Sequence, residues 1–241
     1  MGSGSYGGGG GGGGGWAGGG GGGGYTFKGG EVVTRAASAR AIETAAFETL
    51  CKLPKEYFQK QFGSPLIEEA YKKLFDLSVQ IFVNHDWAGV ARRYGVDDGP
   101  GCLVRWVEAV VTESEQAEPD VRVRETALGC LEDFLVVALN YDIDVFYSGT
   151  ASEVMAKIDE KVFKSTSGYF LGHLIWRILE RERNATPEAV EFQIKEVAQK
   201  TADRIIADFE AKYYAKDQVT HQQLFSVIRS HPDWFRKLVC P

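Results

Sequence analysis

Twenty of the 29 glycines in this chain fall within its first 30 residues, so the other 211 residues share only nine. Glycine in a helix interior costs about 1 kcal/mol relative to alanine, and long glycine-poor stretches are typical of helix-rich chains. The one strand-like alternation, Ile143, Val145 and Tyr147, is too short and isolated to build a sheet. The expectation is therefore an all-α fold, a single helical bundle of about nine to eleven helices over residues 31–241. Hydrophobic residues make up 44% of the chain and aromatic residues 12%, which supplies the apolar surface that one core needs.

Residues 1–30 read as a disordered, Gly-rich, low-complexity tail. From Gly7 to Gly24 only Trp16 and Ala17 interrupt glycine, and Lys28 is the sole charged side chain up to Gly30. Such a segment cannot bury enough surface to offset its ordering entropy. It reads as a flexible leader, or as weak stickers through Tyr6, Trp16, Tyr25 and Phe27. It has no arginine, so it is not an RGG-type RNA binder.

Start and stop signals divide the body. An alanine-rich first helix ends at Leu53-Pro54, and Ser64-Pro65 opens a second whose Leu66, Ala70, Leu74, Leu77 and Ile81 recur at helical spacing. Asp86 caps a short helix that Gly95 ends, Pro100 to Glu115 forms another, and Asp120 starts a long one. Thr150-x-x-Glu153 is a capping box for a helix to about Lys164, followed by one from Gly168 to Arg183. Thr186-Pro187 begins the clearest stripe, Val190, Ile194, Val197, Thr201, Ile205, Phe209 and Tyr213. A second capping box, Thr220-x-x-Gln223, and then Pro232 build a C-terminal helical hairpin over about residues 220–239.

The net charge of −6 and pI near 5.4 turn the chain as a whole away from phosphate backbones and anionic membranes, so nucleic acid would need a local basic patch. No apolar run approaches the roughly 20 residues of a membrane span, and the N-terminus has neither the basic start nor the apolar run of a signal peptide. The four cysteines are far apart and read as buried, reduced thiols of a cytoplasmic protein.

Motifs for catalysis are sparse. The residues three before His85, His173, His221 and His231 are Phe82, Phe170, Gln218 and Ile228, so neither a zinc-protease pair nor a di-iron Glu-x-x-His pair occurs. P-loop, nucleophile-elbow and dinucleotide fingerprints are also missing, and the reading is a chain with no cofactor that is not by itself an enzyme. Asp142-x-Asp144 with Glu153 imitates part of a calcium loop, but Phe146 holds a ligand position and Tyr147 replaces the turning glycine. His85-Asp86 resembles the central pair of metal-dependent HD phosphohydrolases, which would supply imidazole and carboxylate to one divalent metal. No histidine precedes His85 to complete that set, and a helix cap explains Asp86.

Two further segments offer binding surfaces. Val90-Ala91-Arg92-Arg93-Tyr94-Gly95-Val96 looks like the first helix and turn of a helix-turn-helix, with Leu103 to Trp106 in the recognition helix. Arg92, Arg93 and Arg105 would then be the nucleic-acid contacts, although Asp97 to Gly101 lengthens the turn and adds two acids. The C-terminal hairpin sets Arg229, His231, Arg236 and Lys237 beside Trp234, Phe235 and Leu238, a composition typical of interface hot spots or of a docked terminal pair. By elimination the functional expectation is a non-enzymatic helical interaction or scaffold component of a cytoplasmic assembly. It would bind a protein partner or a second copy of itself through Arg229, His231, Trp234, Phe235, Arg236 and Leu238 and would have no membrane partner.

Overall fold

The computed structural model describes residues 41, 43–115, 118–182, 188–214 and 219–240. The expected tail over 1–30, residues 32–40 of the expected first helix and the Thr186-Pro187 start lie outside the described residues. Among the described residues the structure is helical and contains no strand. Helix α1 covers residues 43–52. Twelve more follow: α2 Lys55–Phe62, α3 Pro65–Ser78, α4 Trp87–Tyr94, α5 Cys102–Glu115, α6 Val121–Ala138, α7 Ile143–Ser148, α8 Ala151–Lys157, α9 Glu160–Lys164, α10 Thr166–Glu182, α11 Glu188–Phe209, α12 Leu224–Ser230 and α13 Pro232–Val239. A π-helical turn over Val79–Val83 extends α3, another over Glu210–Tyr214 extends α11, and a 3-10 turn, His221–Gln223, leads into α12.

The count exceeds the expected range because short helices stand where one element or none was read. Asp159 caps α9 by accepting from the Lys161 N–H at 2.8 Å, which splits 151–164 into α8 and α9. Asp142 accepts from the Val145 N–H at 3.1 Å and nucleates α7, so the alternating residues Ile143, Val145 and Tyr147 are helical. The other caps act as the sequence implies. Ser64 Oγ accepts from Leu66 N–H, Asp120 from Arg122 N–H, and the Thr150/Glu153 box closes on both sides. Gly95 ends α4 at φ 65°, a left-handed conformation that glycine takes without a Cβ penalty.

Helix α10 runs through the middle and packs on α3, α6 and α11. Its Phe170, Leu171, Leu174, Ile175, Ile178 and Leu179 are buried, as are Leu66, Ala70, Leu74 and Leu77 of α3 and Leu131, Phe134 and Leu135 of α6. Helices α10 and α11 approach closely at Gly172, where a Cβ would meet the Gln199 side-chain amide and lie 3.5 Å from its Cα. Between α6 and α10, Arg177 grips Asp133 with two bonds, Nε to Oδ2 at 2.6 Å and Nη2 to Oδ1 at 2.8 Å. Such a bidentate pair fixes the relative rotation of the two helices.

The cysteines correct the sequence reading. Cys51 and Cys240 are joined in a disulfide, with Cα atoms 5.4 Å apart across a sequence separation of 189. Helix α13 folds back onto α11 and onto the α1–α2 junction, where Arg236 Nη2 donates to the carbonyls of Cys51 and Leu53 at 3.1 and 3.0 Å. Cys102 and Cys130 are free and buried, and burial pushes the Cys102 thiol up to about 11. No described helix is long and apolar enough to cross a membrane.

Candidate functional site

The residues singled out from sequence are occupied within the fold. Asp86 Oδ1 accepts from the Gly89 N–H at 2.9 Å as the N-cap of α4, while exposed His85 sits at φ 49° in the connecting turn. Among the described residues no group of three or more His, Cys, Asp or Glu side chains could hold a metal ion. Arg92 lies 3.7 Å from Asp86, Arg93 pairs with Asp76, and Arg105 donates to Asp97 at 2.5 Å and to the carbonyls of Pro100 and Gly99. Each arginine is thus held by an acid of its own chain. Helix α5 buries Cys102, Leu103, Trp106, Val107 and Val110 and packs against α3, α4, α6, α7 and α8. The segment expected as a recognition helix thus buries one face in the core, while Glu108 and Thr112 are exposed and Arg105 is half-buried.

The C-terminal hairpin is likewise docked on its own body. Phe235 is 0% exposed, with its ring 4.9 Å from that of Phe62 and 5.7 Å from that of Phe58. Trp234 Nε1 donates to Asp208 Oδ2 at 2.6 Å, and its ring meets Tyr213 edge-on at 5.1 Å. Arg229 pairs with Glu68 at 2.8 Å, His231 stacks on Tyr213, and Arg204 donates to the Leu238 carbonyl. Of the hairpin side chains expected to form the interface, Arg229 and His231 stand exposed, and Trp234, Arg236 and Leu238 are half-buried.

Apolar surface is instead presented around α7. Tyr141 is 71% exposed, Ile143 55% and Tyr147 60%. Ile143 and Tyr147 are one turn apart on α7, and Tyr141 enters the helix from a left-handed turn, with φ 54° at Asn140 and 63° at Tyr141. A bulky side chain in that region is strained by about 1–3 kcal/mol. The turn is held by N–H bonds from Asn140 to Val137 O and from Tyr141 to Val136 O, and by the Asp142–Lys157 pair at 3.1 Å. Exposed Asp144 lies on α7 itself, and exposed Asp98 lies on the adjoining loop, whose carbonyl accepts from Ala151 N–H.

A second constellation has no counterpart in the sequence reading. The start of α10, the end of α11, α3 and the 3-10 turn enclose a cleft of about 430 Å³. Phe75, Ile206 and Ala207 give it apolar walls, and Ser167, His221, Asp203 and Glu210 give it polar ones. Ser167 Oγ lies 3.2 Å from His221 Nδ1 and 2.6 Å from the Tyr71 hydroxyl. His221 Nε2 lies 3.1 Å from Glu210 Oε1, and Tyr71 also reaches the His221 carbonyl at 2.7 Å. Tyr71 is fully buried, and burial drives its hydroxyl well above the usual phenol range, so it remains protonated. The π-turn at the end of α11 carries Glu210 into this arrangement, and the Thr220/Gln223 capping box fixes the turn that carries His221. Ser167 and His221 are 54 residues apart, and each is unremarked by its neighbours in sequence.

No family model matches the chain, and neither the curated proteins nor the solved structures contain a match to it.

Proposed function

We propose that this protein is an interaction or scaffold component that binds a partner protein through the Tyr141, Ile143 and Tyr147 face of α7. The observation that carries this reading is the exposure of three large apolar side chains on one short helix and its lead-in, with Tyr141 held in a costly left-handed conformation. Tyrosine is enriched in interface cores and hot spots, where it joins apolar area to a polar tip. The flanking acids Asp98 and Asp144 and the net charge of −6 favour a basic partner segment over a second copy of the chain, whose like charges would oppose each other. Of the C-terminal residues expected to form the interface, Phe235 is buried and Trp234, Arg236 and Leu238 are half-buried against the protein's own body, so the more exposed apolar face of α7 is preferred.

The Cys51–Cys240 bond bears on location. Disulfides persist in oxidising environments and are rare where glutathione keeps thiols reduced. It supports an oxidising setting in place of the expected cytoplasm, and rapid alkylation of freshly lysed native cells reads the thiol state directly.

Photo-crosslinking from position 147 in the native host, followed by purification with and without nuclease, tests the interaction. A basic protein should be captured in both cases and lost with Ile143→Asp, whose thermal unfolding should match the parent because the side chain is exposed. Capture undiminished in Ile143→Asp, or recovery of nucleic acid alone, would overturn the reading.

A further inference from the structure

Ser167 stands at the second position of α10, at the floor of the 430 Å³ cleft, and is 6% exposed. Its hydroxyl is the junction of a chain of polar groups from three other elements. Tyr71 O–H donates to the His221 carbonyl at 2.7 Å, Ser167 Oγ lies between the Tyr71 hydroxyl at 2.6 Å and His221 Nδ1 at 3.2 Å, and His221 Nε2 lies 3.1 Å from Glu210 Oε1. The His221 carbonyl accepts from the Leu224 N–H as well, so the turn that carries the imidazole is held from two sides. A hydroxyl network that only filled space would need neither a carboxylate on the far ring nitrogen nor an open cleft leading to the serine.

We propose that Ser167 and His221 are a nucleophile and its general base, oriented by Glu210 and Tyr71, for hydrolysis of small carboxylic esters. This goes beyond the interaction reading and rests on different elements of the fold. Nucleophile and base are within hydrogen-bond reach, and a third group fixes the base, which is the arrangement that activates a serine. Ser167 Oγ attacks the ester carbonyl carbon as its proton passes to His221 Nδ1. The carbonyl–alkoxy bond then breaks and the leaving alcohol takes that proton. Water next attacks the acyl-serine, gives a proton to His221, and releases the carboxylic acid as the proton returns to Ser167. Negative charge on the carbonyl oxygen forms at the start of α10, where the first N–H groups have no acceptor within the helix and the helix dipole favours an anion. Phe75, Ile206 and Ala207 suit a short apolar acyl group, and the cleft volume falls within the range of small-ligand sites.

A fluorophosphonate probe tests this on the full chain. Phosphorus–oxygen bond formation at Ser167 expels fluoride and leaves a permanent adduct that mass spectrometry locates. The expected result is one adduct per folded chain, on Ser167, absent in Ser167→Ala and after thermal unfolding. His221→Asn should slow labelling about 100-fold or more. Glu210→Gln should lower the maximal labelling rate without changing the half-saturating probe concentration, a split that a merely structural carboxylate would not produce. The wild-type result alone can overturn the proposal: no adduct under conditions that label a known serine hydrolase, an adduct at another residue, or labelling that survives unfolding.

Discussion

Reducing the Cys51–Cys240 disulfide should destabilise the fold strongly without changing its helical content. The cross-link removes loop-closure entropy from the unfolded chain, by roughly 2.1 + 1.5R ln n cal/mol/K for a loop of n residues. With the separation of 189, this amounts to about 18 cal/mol/K, or about 5 kcal/mol at 25 °C. Residual structure in the unfolded chain lowers the effect, so about 3–5 kcal/mol is expected. With a urea dependence of about 2–3 kcal/mol per molar, the unfolding midpoint should fall by roughly 1–2 M. The slope itself should steepen on reduction, because a chain freed of its cross-link exposes more surface when unfolded. The assay is urea unfolding followed by circular dichroism, with and without a phosphine reductant. Alkylation mass should verify the thiol state, and a Cys51→Ser/Cys240→Ser variant serves as the reference. A midpoint that moves by less than about 0.3 M when both thiols are shown to be free would refute the reasoning.

Three other expectations are independent of the first. Phe235→Ala removes a fully buried ring between Phe58 and Phe62 and should cost about 3–5 kcal/mol, lowering Tm by about 6–20 °C in calorimetry; an unchanged Tm would mean the hairpin is not part of the core. Burial lowers His173 to about 4 despite Asp133 at 3.9 Å, whose carboxylate is already claimed by Arg177. The unfolded chain takes up this proton first, so stability should decline as pH falls from about 6.5 toward about 4, on the order of 3 kcal/mol in all; urea midpoints across that window should flatten in His173→Gln, and an identical slope would exclude the residue. Asp86→Ala should cost about 1 kcal/mol through the lost cap, read by thermal unfolding, with no change in the metal content of the purified protein.

What the sequence disclosed and what it concealed follow from the range of the interactions. Helix starts at Ser64, Asp86, Asp120 and Thr150 were legible because a cap and the N–H it receives lie within three residues of each other. The stripe from Leu66 to Ile81 was legible for the same local reason. The α8–α9 break was hidden because Asp159 sits inside an otherwise continuous apolar pattern, and α7 was hidden because two of its three alternating residues face solvent. Composition marked Trp234, Phe235 and Arg236 as binding residues, yet it cannot distinguish a ring that meets a partner from one that meets Phe62. Ser167, His221 and Glu210 come from three elements with no shared spacing, so only the fold brings them together, and the same holds for Cys51 and Cys240.

Tyr71 holds the 3-10 turn through the carbonyl of residue 221, a group that every amino acid carries. The position of that turn is therefore inherited separately from the imidazole it displays. Exchange of the side chain at 221 would leave the main-chain tether intact, whereas loss of the Tyr71 hydroxyl would release the turn with its histidine unaltered. A lineage carrying this fold could thus vary the reactive group at the cleft while conserving its walls, and selection on chemistry and selection on architecture would fall on different residues.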